Sequence, residues 1–192
     1  MKLKNLIKTS LFVVLMIVGA FINVSFGAPV PYTLQTLFML MAGIVLGVKY
    51  GPLSQLVYVL LGLFGLPIFA QGKGGFAALM SPTFGFLLGF ILGAYVVALL
   101  YRKLAIKNSY VRGVVSAIIG GAVIYIPGIL YFYVLQNAIV GKAIGLMTIT
   151  GFMVPFFIPD IAKAVIAGLL GVLIRKALVG RKLIEAEGMD KE

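Results

Sequence analysis

The 192 residues contain no cysteine, no histidine and no tryptophan. Without a thiol or an imidazole there is no disulfide, no Cys/His zinc site, no thiolate nucleophile and no imidazole proton relay. Acid is nearly as scarce. Of five acidic residues, Glu185, Glu187, Asp190 and Glu192 stand in the last eight positions, which leaves Asp160 as the only carboxylate in the first 184. A paired-carboxylate mechanism and a protein-built Ca²⁺ or Mg²⁺ cage therefore lack material. The phosphate-cradling G-x-x-x-x-G-K-[ST] loop is absent as well. Neither an enzyme nor a metal or cofactor is expected, and the chain cannot draw on ATP through that motif.

What the chain has in excess is apolar surface: 62% of its residues are hydrophobic and 11% charged, with a mean hydropathy of +1.16, against about 25% charged in an average soluble domain. A membrane-spanning helix takes about 20 mostly apolar residues. The expected fold is an all-α membrane protein, a single integral domain over 1–192 with six spans at 9–27, 32–49, 52–70, 82–101, 113–137 and 156–177, and a short charged tail over 178–192. The start also resembles a signal peptide, with Ser25-Phe26-Gly27 as a passable cleavage site. Cleavage would leave five spans, and an ordinary loop through Pro29 is the simpler expectation.

A net charge of +11 raises the question of nucleic acid, but a nucleic-acid reader carries its cations on one face of a soluble module. Here they alternate with the apolar runs. Lys2, Lys4, Lys8, Lys49, Arg102, Lys103, Lys107, Arg112, Arg175, Lys176, Arg181 and Lys182 fall in one set of ends and loops, and only Lys73 and Lys142 in the other. By the positive-inside rule both termini are cytoplasmic in a multi-pass protein of the cell membrane, in contact with lipid and not with nucleic acid.

Small residues mark where helices approach. Gly43, Gly47 and Gly51 form one stripe and Gly85, Gly89 and Gly93 another. Lys49-Tyr50-Gly51-Pro52 is the turn between the second and third spans, and Pro127-Gly128, beside Tyr125, Tyr131, Phe132 and Tyr133, predicts a kink in the fifth. The Gly-rich stretch from Gln71 to Thr83 is too long for a tight turn and is expected to fold back over a site.

One charged pair falls inside an apolar run. Asp160 and Lys163 are three apart and share a helix face. An ionisable group within a span costs about 2.5–3.5 kcal/mol on lenient insertion scales, while a pair about 4 Å apart at an effective dielectric near 20 gains roughly 4 kcal/mol. Pairing keeps both ionised. A structural alternative makes Asp160 a helix N-cap after Pro159, with Lys163 snorkelling outward. As a recognition site, an acceptor beside a donor complements a neutral ligand that both donates and accepts, such as an amide or a cyclic urea. Gln35, Lys73, Tyr32, Phe76, Phe84 and Phe86 are expected near the same outward end, as polar groups and aromatic walls of a small-molecule cavity.

Four blocks in order, Pro29-Val30-Pro31-x-Thr33-Leu34-Gln35-Thr36, Gly62-x-x-Gly65-Leu66-Pro67-Ile68-Phe69-Ala70, Gly74-Gly75 with Pro82-Thr83-x-Gly85, and Ile158-Pro159-Asp160-x-x-Lys163-Ala164, closely resemble the BioY family of biotin transporters. The resemblance covers nearly the whole chain. It implies a six-helix substrate-binding S component of an energy-coupling factor (ECF) transporter, whose partners are a transmembrane coupling subunit and two ATPase subunits. It also implies that Asp160 and Lys163 meet the biotin headgroup, Asp160 taking the ureido N–H groups and Lys163 the carbonyl. Two departures from the family pattern are Lys73, where a neutral residue is usual, and Ser81-Pro82-Thr83-Phe84-Gly85 in place of a G-P-T-G-G block. Lys73 is expected to meet the valerate carboxylate. The first helix has Ser10, Gly19 and Ala20 but no clean A-x-x-x-A docking stripe. Competing readings are an S component for another vitamin and a small ion channel or ion-coupled carrier with Asp160 and Lys163 along a water path.

Overall fold

Apolar runs in a membrane satisfy their backbone only by forming helices, and helices dominate the computed structural model, which describes residues 3–25, 30–181 and 183–184. In chain order these are α1 (Leu3–Phe21), a short antiparallel ribbon of β1 (Asn23–Val24) and β2 (Tyr32–Thr33), α2 (Gln35–Leu63), α3 (Phe84–Lys103), α4 (Ser109–Val123), α5 (Tyr125–Val134) and α6 (Leu146–Gly180). A π-helical turn, Leu135–Ile139, extends α5. Among the described residues, five helical stretches are long and apolar enough to cross a membrane: Leu3–Phe21, Gln35–Leu63, Phe84–Lys103, Ser109–Ile139 and Leu146–Gly180.

The difference from the six expected spans lies in α2, which takes up both the second and the third. It is broken at Gly47, where φ is +74° and a side chain would strain the backbone. The chain folds back there. Gln35 and Tyr58 would stand about 35 Å apart along an uninterrupted helix, yet their side chains are 2.8 Å apart in a hydrogen bond. A Cβ on Gly51 would likewise stand 3.1 Å from the Ala42 carbonyl oxygen. The bend thus falls at Gly47 rather than over Lys49-Tyr50-Gly51-Pro52: of the three stripe glycines Gly47 takes positive φ, while Gly43 and Gly51 are packed against neighbouring backbone. Its stripe partners do other work: Gly43 admits the Ala94 carbonyl of α3 at 2.8 Å from where its Cβ would be.

The second stripe packs as spacing suggests. A Cβ on Gly89 would stand 2.7 Å from the Ile124 carbonyl oxygen, and one on Gly93 would stand 2.8 Å from the Ile124 side chain. Pro127 explains why α4 ends at Val123, the residue whose carbonyl a helical N–H at 127 would have bonded. Boundaries move elsewhere. Helix α1 starts well before residue 9 and ends at Phe21, where the Asn23 side-chain amide donates to the carbonyls of Ala20 and Phe21. Helix α6 starts ten residues ahead of the expected 156 and carries Pro155 and Pro159 inside it, as membrane helices tolerate. Asp160 therefore sits within a helix and is not its N-cap. Phe26, Gly27, Pro29, Lys182 and the tail from 185 lie outside the described residues.

At one end of the bundle Lys8 donates to the Leu183 carbonyl at 2.9 Å, so the starts and ends of the helical chain meet there. Buried Arg175 of α6 donates to the carbonyls of Ile44 and Val45 at 3.0 and 3.3 Å. These are among the last carbonyls before the break at Gly47, the kind of helix-end carbonyl that a side-chain donor commonly caps. The opposite end holds the cavity.

Candidate binding cavity

The entry to α2, the loop after it and helices α3, α5 and α6 converge on an open-mouthed cavity, of the concave and mostly apolar kind that small-molecule sites favour. The entry to α2 supplies Val30, Pro31, Thr33, Gln35 and Thr36, and the loop after α2 supplies Phe69 and Ala70. Helices α3, α5 and α6 close it with Phe86, Phe90, Tyr125, Met153, Phe156, Asp160 and Lys163. Phe69 reaches the wall because Gly62, lacking a side chain, leaves room for its ring. The same loop is tied to α2 by the Gly75 N–H, which donates to the Gly62 carbonyl at 2.7 Å.

The charged groups form one connected network. Asp160 and Lys163 make an ion pair one helical turn apart, with side chains 14% and 12% exposed. Tyr125 donates its hydroxyl proton to Asp160 Oδ2 at 2.5 Å, and Lys163 Nζ donates to the Thr33 carbonyl at 3.1 Å. The carboxylate is thereby pinned from α5 and the ammonium from β2. Rings brace the network: Tyr125 lies 5.1 Å from Phe157 and 6.0 Å edge-on from Phe86, and Tyr32 stacks on Phe156 at 4.1 Å. Such an arrangement offers an anchored acceptor and an anchored donor at a mostly apolar wall, which suits a compact ligand with a polar head.

Of the residues expected at this site, Asp160, Lys163, Gln35 and Phe86 line the cavity. Tyr32 stands behind its wall, stacked on Phe156. Phe84 is buried beside Tyr131 instead, at 5.6 Å between rings. Phe76 is 70% exposed and Lys73 is also exposed, so neither forms part of the wall. The Gly-rich stretch folds back over the site only through its flanks, Phe69-Ala70 and Thr83.

Comparison with known proteins bears on what such a cavity is for. The BioY family model matches residues 1–180. The chain belongs to the BioY family. It is 44% identical to the biotin transporter BioY of Thermotoga maritima, over 93% of this chain and all of that one. To the biotin transporter BioY of Rhizobium etli it is 38% identical, over 97% and 99%. A crystal structure of the S-component for biotin from an ECF-type ABC transporter superposes with a TM-score of 0.78 at 27% identity, covering 91% of this chain and 92% of that one. With these relatives and its apolar helices, this BioY chain is a multi-pass membrane protein with an S-component-like fold.

Residues that sequence reasoning missed in this BioY chain are Tyr125, Phe156, Phe90, Thr33 and Phe69. Tyr125 was visible as an aromatic beside Pro127, but nothing local links it to an aspartate 35 positions away. Phe69 and Thr33 belong to the family-like blocks and were legible as block members without a direction.

Proposed function

We propose that this chain binds biotin in the cavity at Asp160 and Lys163 and serves as the substrate-binding uptake component of an ECF transporter. The observation that carries this reading is the pinned Asp160–Lys163 pair: a donor and an acceptor fixed side by side on an aromatic wall. Biotin's ureido ring presents N–H donors flanking a carbonyl, the complement of that pair. The relatives named for biotin transport support the ligand. Phe86, Phe156 and Tyr125 then face the fused rings, Tyr32 backs them, and the valerate chain extends toward the Phe69–Lys73 loop, where Lys73 offers the charge for its carboxylate. Phe84 supports the α3–α5 contact through Tyr131 rather than the ligand, and Phe76 lies outside the site.

In this reading the membrane is crossed six times, the two arms of α2 on either side of Gly47 counting as separate crossings. Both chain ends then lie on one side, in keeping with the Lys8–Leu183 bond, and the distribution of cations makes that side cytoplasmic. Uptake against a gradient needs energy from outside the chain, supplied by a transmembrane coupling subunit and two ATPase subunits. The test is calorimetric titration of biotin into the purified protein after a biotin-free wash. Submicromolar binding at one site per chain is expected; absence of binding to the folded protein overturns the reading.

A further inference from the structure

The amide of Gln35 has an orientation that its surroundings dictate. Gln35 is 3% exposed, Tyr58 is fully buried, and the Tyr58 hydroxyl lies between Gln35 and the carbonyl of Ile68. A phenol has one proton to give. Tyr58 gives it to the Ile68 carbonyl at 3.0 Å, since that oxygen can only accept. The Gln35 atom 2.8 Å from the same hydroxyl must therefore be the donor, Nε2, because an amide turned the other way would set oxygen against oxygen. The carbonyl Oε1 is left for the cavity that Gln35 lines, and it has no hydrogen-bond partner among the described residues. An amide oxygen open to a mostly apolar cavity is an acceptor available to a ligand donor.

Its neighbourhood says which donor. Thr33 holds both Gln35 and Lys163: its hydroxyl accepts the Gln35 backbone N–H at 3.3 Å and its carbonyl accepts from Lys163 Nζ at 3.1 Å. Gln35 thus stands at the same end of the cavity as the ion pair. Asp160 already receives the Tyr125 proton on Oδ2 and faces Lys163 with Oδ1. We propose that Gln35 is a specificity-determining residue whose Oε1 accepts one of the two ureido N–H groups of the ligand, Asp160 accepting the other, and that Tyr58 is a positioning residue that fixes Gln35 as an acceptor. This rests on the biotin reading above.

The experiment compares biotin with its two lactam analogues, each having one ureido N–H replaced by CH₂, on wild type, Gln35→Met, Tyr58→Phe and the double variant. Gln35→Met keeps the length of the side chain and removes the acceptor. The expected result is that wild type binds each lactam about tenfold more weakly than biotin. Gln35→Met should lose about tenfold in biotin affinity and lose its preference against one lactam, while keeping its preference against the other. Tyr58→Phe should weaken the same preference and no other, and should add nothing in the Gln35→Met background, the mark of a residue acting through Gln35. Retention of the second preference reports that a variant is folded. The proposal is overturned if Gln35→Met keeps both preferences or loses both equally, and Tyr58's part in it is overturned if the two substitutions are additive. Failure of wild type to bind biotin at all overturns the parent reading and this one together, a result distinct from biotin binding that ignores Gln35.

Discussion

Two charge sites lie on α6, one buried and one part-buried, and they are satisfied in different ways. Arg175 is 5% exposed and reaches backbone: the Ile44 and Val45 carbonyls just before the break at Gly47, with the Tyr101 ring 5.6 Å away. Asp160 and Lys163, about four helical turns earlier, satisfy each other and are pinned by Tyr125 and Thr33 beside a cavity. The first arrangement is directed inward at a helix end, where a cation also meets the negative end of the helix dipole. The second keeps donor and acceptor capacity at an open wall. A buried ion is thus a mark of function when it faces unfilled space and a mark of architecture when backbone carbonyls absorb it.

The largest effect that would sharpen this contrast is on binding. Asp160→Asn removes the charge that holds Lys163 and accepts from the ligand, and calorimetry should show biotin affinity down by about 100-fold, or about 2.7 kcal/mol, at little cost in melting temperature. Next comes the converse. Arg175→Met removes the donors that Arg175 gives two buried carbonyls and should lower stability by about 2 kcal/mol in a thermal melt, with the biotin Kd unchanged within threefold. A change in Kd of tenfold or more would break the distinction between the two sites. Tyr125→Phe keeps the ring and its contacts with Phe86 and Phe157 but frees Asp160 Oδ2; an affinity loss of about tenfold is expected by titration. The smallest effect belongs to Lys73→Ala, about threefold weaker for biotin and none for its alcohol analogue, since an exposed cation contributes little through screening solvent. Equal losses for both ligands would remove Lys73 from the site.

Much of this was legible in the sequence, for reasons that differ by residue. The Asp160–Lys163 pair stood out because a helix places residues three apart on one face and the rest of the chain to 184 has no other carboxylate. The Gly85-Gly89-Gly93 stripe and the Pro127 break follow from helix geometry alone. The fold-back at Gly47 did not, because three glycines at equal spacing look alike until one knows which has neighbours. Loop residues were the least legible: no periodicity orients Lys73 or Phe76 in the Gly-rich stretch, and both turned outward. Tyr125 and Thr33 reach the pair across long sequence separations, which only the packed helices reveal.

The most direct test of the central claim is one set of biotin titrations by calorimetry, run side by side on wild type, Asp160→Asn and Arg175→Met. One submicromolar site is expected in wild type and Arg175→Met, and a site about 100-fold weaker in Asp160→Asn. Binding by Asp160→Asn as tight as that of wild type would contradict the claim.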